Sequence, residues 1–88
     1  MEREIHLDPK EVEQSWEQAK ATLERYRDRK IPTGSALQAA LENNLKMFAA
    51  YADEYTMNNM KRIVRFICND MPMSAQGSPE NVRKWLEK

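Results

Sequence analysis

At 88 residues, with 14 basic and 14 acidic side chains and a net charge of zero, the chain is long enough for one domain and too short for a second. A single cysteine excludes an internal disulfide, and no apolar run approaches the roughly 20 residues of a membrane span. The start MEREIHLDPKEV carries acids and no apolar core, unlike a signal peptide, so the expected compartment is the cytoplasm.

Apolar residues make up 41% and charged residues 32%, which suits a folded domain with a well-hydrated surface. Two glycines and four prolines are too few for a strand-and-turn architecture, so the expected class is all-α. A chain this short buries only about 60–65% of its unfolded surface. Association would therefore help it, and a homodimer is within expectation. Charge is uneven along the chain: residues 61–88 hold six bases against three acids, a hint of an acidic partner.

Residues 1–88 read as a single helical domain, with 1–7 as an extended leader. A first helix is predicted over about 9–30. Asp8 is a good N-cap, Pro9 suits the first helical position, and Glu11 completes a capping box. Its apolar positions Val12, Trp16, Ala19, Leu23 and Tyr26 form a narrow seam on a charged cylinder. Ile31-Pro32 ends it.

A second, central helix is predicted over about 35–55, capped by Thr33 or Ser35, with Leu37, Leu41, Leu45, Phe48, Ala52 and Tyr55 along one line. Asn44 falls inside that apolar arc. A buried, unpartnered amide costs about 1–3 kcal/mol, so Asn44 is expected to bond within the chain or across a dimer.

The third helix, about 57–71, is capped by Thr56, ends at Pro72 and has two unlike faces. Met57, Met60, Ile63, Val64, Ile67, Cys68 and Met71 share an apolar side expected to bury; Asn58, Lys61, Arg62, Arg65 and Asn69 share a side of amides and cations, bordered by Phe66. After the loop MPMSAQGS, Ser78-Pro79 starts a short last helix, about 79–87, with Val82, Trp85 and Leu86 inward. The expectation is a bundle of three main helices plus this short closing one, with antiparallel neighbours.

Catalytic groups are scarce. His6 is the only histidine and has no evident base beside it, Cys68 sits on the apolar face, and Gly34 and Gly77 are isolated rather than part of a phosphate loop. Cys68 with Met57, Met60, Met71 and Met73 contains soft donors, but methionine at helical spacing is ordinarily core, so neither metal nor cofactor is expected. What remains is a non-enzymatic protein–protein interaction module, a small regulator, adaptor or inhibitor. Asn58, Lys61, Arg62, Arg65, Phe66, Asn69 and Met73 are its expected contacts with an acidic protein surface. Nucleic-acid binding through the same stripe, as a dimer, is the alternative; Asp53 and Glu54 beside the stripe count against it.

Overall fold

The structure is a computed structural model that describes residues 7–87. Every regular element among them is helical: α1 (Pro9–Arg29), α2 (Ser35–Leu41), α3 (Leu45–Tyr51), α4 (Glu54–Asn58), α5 (Met60–Asp70), a 3₁₀ turn (Met73–Ala75) and α6 (Pro79–Glu87). The all-α class holds, but the three-helix count does not. The predicted second helix is two helices and a fragment of a third, and the predicted third begins at a joint. His6 and the rest of the leader before Leu7 lie outside the described residues.

Each break has a local cause. Asp8 caps α1, its Oδ1 accepting from the Lys10 N–H at 2.9 Å. At the other end Lys30 takes a left-handed conformation (φ 58°), so α1 stops one residue short of the expected 30. Neither Thr33 nor Ser35 caps α2; Gly34 holds that position at φ 99°, where an L side chain would be strained.

At the end of α2, the Asn44 N–H bonds to the Ala39 carbonyl (2.9 Å) and the Asn43 N–H to that of Ala40 (3.2 Å), with Asn43 at φ 61°. This is a Schellman stop with asparagine in its left-handed position. Asn44 then caps α3, its Oδ1 accepting from the Met47 N–H at 3.2 Å. The amide that looked misplaced in a helix is the start of a new one, and its bond is within the chain. Asn43→Ala is expected to cost about 1 kcal/mol through the left-handed penalty, read as a lowered urea midpoint, whereas Asn43→Gly should leave the midpoint unchanged or raise it.

Asp53, not Thr56, caps α4, accepting from the Thr56 N–H at 2.7 Å. Asn59 is the joint with α5: its N–H is shared between the carbonyls of Tyr55 (3.2 Å) and Thr56 (3.1 Å). Ser78 caps α6 as expected, Oγ accepting from the Asn81 N–H at 3.1 Å.

The core takes Leu23 and Tyr26 from α1, Ala39 and Leu41 from α2 and Phe48 from α3. Ile63, Phe66 and Ile67 of α5 join them, with Met71, Ala75 and Val82 beyond. Glu11 meets Tyr55, Val12 meets Asn59, Trp16 meets Phe66 and Arg27 meets Asp70, so α1 and the α4–α5 rod run parallel. Leu45 and Phe48 share a cleft with Met60 and Val64, which places α3 beside α5.

Tyr26 ties the carboxy-terminal segment down. Its hydroxyl donates to the Ala75 carbonyl at 2.7 Å, and its own carbonyl accepts from Trp85 Nε1 at 3.0 Å. Gln76 donates to the carbonyls of Ile67 (2.7 Å) and Met71 (2.9 Å), and the Gly77 N–H reaches the Leu41 carbonyl (2.7 Å). The turn after α5 is thereby fixed from three sides, which holds Met73 out in solvent.

Candidate functional site

The side chains of α5 sort onto three sides of the helix, and the sort differs from the predicted two. Inward go Ile63, Phe66, Ile67 and, at the end, Met71, with Asn59 below them. Phe66 is 8% exposed and belongs to the core, so it cannot supply the exposed apolar anchorage expected of it. In return Val64, Met57 and Cys68, expected to bury, are exposed. The inward direction is set by Trp16, whose ring stands edge-on to Phe66 at 6.4 Å, and this turns the helix toward α1.

On the α1 side lies an open groove of about 570 Å³. Trp16 and Phe66 form its aromatic floor, Lys20, Arg27, Arg62 and Arg65 bring cations, and Glu24, Asp70 and Asn69 complete it. Of the predicted contacts it therefore gathers Arg62, Arg65, Phe66 and Asn69. Asn58 and Lys61 are exposed outside the groove, and Met73, 86% exposed, sits on the anchored turn. The sequence reading missed Lys20, Glu24 and Arg27. Their signal was present: with Trp16 they recur at helical spacing along one side of α1.

The cations are not equivalent. Arg27 is already committed, donating to both oxygens of Asp28 (2.8 and 3.1 Å), with its guanidinium 5.9 Å from the Phe66 ring centre. That contact holds the Asp28 carboxyl below its ordinary range. Arg62 pairs with Glu13 at 2.6 Å, but both side chains are half exposed, and such a pair contributes only about 0–1 kcal/mol. Exchanging Glu13 for another carboxylate would therefore cost little. Lys20, Lys61 and Arg65 make no ion pair among the described residues.

Around the joint, the Tyr55 hydroxyl donates to the Glu11 carboxylate, which raises the Tyr55 pKa above its ordinary value. Glu11 thus reaches across to α4 rather than back to its own cap. Among the described residues no group of three His, Cys, Asp or Glu side chains is placed to hold a metal ion. No helix there is long and apolar enough to cross a membrane. No family model matches the chain, and no curated protein or solved structure matches it either.

Proposed function

We propose that the protein is a non-enzymatic protein–protein interaction module that captures an acidic surface of a larger partner through α5, the α1 groove beside it and the Met73 turn. The observation that carries this reading is the groove itself, in which Trp16 lies under cations of which Lys20 and Arg65 make no ion pair among the described residues. Desolvated aromatic side chains with arginines around them are the residue types that dominate protein interfaces. Blocking or bridging by occupancy is the mechanism, since the proposed contacts bind and orient without reacting.

Nucleic-acid binding is the competing reading, favoured by Lys20, Lys61 and Arg65, which make no ion pair among the described residues. Glu24 and Asp70 within the same groove would repel phosphates, whereas a protein surface can match them one by one. Lys20→Glu with Arg65→Glu is the cleanest test, because neither side chain holds an ion pair among the described residues. Capture of the partner from the native host is expected to weaken at least about tenfold, roughly 1.4 kcal/mol, with melting unchanged within a few degrees. Undiminished capture would remove this surface from the assignment. A steep, salt-dependent shift of duplex DNA that the same variant abolishes would transfer the groove to nucleic acid.

A further inference from the structure

The charges of the α1–α5 groove come in an order that its two parallel walls impose. Along α1 the lining runs Trp16, Lys20, Glu24, and along α5 it runs Arg65, Asn69, Asp70. On each wall a cation comes first and an acid follows, about 6 Å further along the axis on α1 and about 7.5 Å on α5. None of these four charged side chains makes an ion pair among the described residues. Because the walls run parallel, the cations fall toward the Trp16–Phe66 contact and the acids toward Arg27. The bond from Arg27 to Asp28, with the charges of Asp28, Glu24 and Asp70, holds the Arg27 pKa above its ordinary value. Three acids therefore surround one guanidinium, and acid is in excess at that end. At the other end Lys20, Arg62 and Arg65 share a single ion pair among the described residues, that of Arg62 with Glu13, and cation is in excess.

We propose that this groove receives a helix of a protein partner with a carboxylate and a cation one turn apart on its docking face. The carboxylate lies toward Lys20 and Arg65, and the cation toward Glu24 and Asp70. The inference rests on the reading of the groove as a protein-binding surface and adds the charge order of what it binds. Spacing and backbone select the occupant. Residues i and i+4 of a helix lie about 6 Å apart along its axis and face the same way, which matches the step from cation to acid on α1. An extended segment would find no strand edge among the described residues and would leave its backbone groups to water, whereas a helix bonds its own. An all-acidic helix would set carboxylates against Glu24 and Asp70. A second copy across a two-fold axis would match the charges. It would also set groove against groove and leave the half-buried Trp16 without a ridge to cover it.

The test titrates the isotope-labelled full chain with synthetic alanine-based helical peptides and follows its amide shifts. A mixed-charge peptide carries leucine at i, glutamate at i+4 and lysine at i+8, which sets leucine on Trp16 and the two charges beyond it. Its relatives replace the lysine by glutamate, the glutamate by lysine, or the leucine by alanine. The expected result is a saturable set of shifts confined to α1 and α5, tightest for the mixed-charge peptide. The all-acidic peptide should bind at least about threefold more weakly, although it offers the cations more negative charge.

Glu24→Gln with Asp70→Asn should abolish that preference, so that the all-acidic peptide binds at least as tightly as the mixed one. Neither residue belongs to the core, so the protein should melt normally. Lys20→Glu with Arg65→Glu should weaken the mixed-charge peptide at least about tenfold. If the wild-type protein binds the all-acidic peptide as tightly as the mixed one, the charge order is overturned. Should Lys20→Glu with Arg65→Glu then lose that binding, the capture of an acidic surface still stands, which separates the two readings. No saturable shift from any peptide overturns the proposal as well. So does a two-chain mass by light scattering that Lys20→Glu with Arg65→Glu reduces to one, since the groove would then belong to a second copy.

Discussion

Tyr26→Ala is expected to cost about 3–5 kcal/mol of unfolding free energy, the range for removing a buried aromatic ring. For a domain whose total is of the order of 5–15 kcal/mol, that is enough to leave a large unfolded fraction. The ring is 1% exposed, and its hydroxyl closes a contact between residues 49 positions apart. Tyr26→Phe separates the two contributions: it keeps the ring and leaves the buried Ala75 carbonyl without its donor, for about 1–3 kcal/mol. Urea unfolding of the three proteins checks the order.

Burial, with Glu42 adding to it, pushes the Tyr26 hydroxyl up to about 12. A folded-state pKa raised above the unfolded value near 10 contributes stability that is complete below pH 10 and lost as pH climbs from 10 to about 12. The wild-type protein should therefore lose stability more steeply than Tyr26→Phe across that interval. Tyr55 titrates in the same direction in both proteins, so it cancels from the comparison.

The ends of α1 and α6 were legible because their signals are local and chemical. Asp8 with Pro9, and Ser78 with Pro79, name the cap and the first helical residue directly. The break after Leu41 was written just as locally, in Asn43 and Asn44, yet it reads as continuous helix. The reason is that Leu37, Leu41, Leu45 and Phe48 keep helical spacing straight across it. Apolar periodicity reports which residues face the core, and a chain can stop, turn and restart while preserving that facing. An asparagine pair inside such a run carries more information as left-handed stop and new cap than as a polar fault in one helix.

The rotation of α5 was harder to read, for a different reason. Methionine, valine and cysteine are equal evidence for burial in a sequence, whereas the direction of the helix is fixed by what α1 offers it. Trp16 draws Phe66 inward, the Val12 carbonyl draws Asn59, and Val64 and Cys68 are thereby turned to solvent. One amphipathic helix seen alone has no means of choosing between Phe66 and Val64 as the edge of its buried side. Lys61, Arg62, Arg65 and Asn69 are exposed as expected, because they are excluded from the core under either choice. What α1 added was Trp16 in the floor of the groove, the cations Lys20 and Arg27, and Glu24, one of the two acids that temper its charge.

That dependence on α1 predicts the second large effect, at Asn59. Its side chain is 1% exposed, and Nδ2 donates to the carbonyl of Val12 (2.9 Å) and that of Tyr55 (3.0 Å). One amide therefore fastens the first turns of α1 to the joint between α4 and α5. Asn59→Asp is nearly isosteric but replaces a donor facing two carbonyls with a carboxylate facing the same oxygens. At neutral pH the expected cost is about 3–5 kcal/mol, that of an uncompensated buried charge. The new carboxyl would have its pKa raised by burial and by the carbonyls. Its neutral form then retains stability below the unfolded value near 4, and that stability is lost as pH rises through the folded value. The gap between wild type and variant should consequently narrow as pH is lowered from 7, in urea titrations at matched ionic strength. Asn59→Ala, which deletes the donor without adding a charge, should lose about 1–3 kcal/mol with no such narrowing. A pH-independent gap for Asn59→Asp would mean that the joint opens to admit water to the new carboxylate. The groove beside it would then be less rigid than the Trp16–Phe66 contact implies, because that contact and Asn59 hold α1 against the same rod.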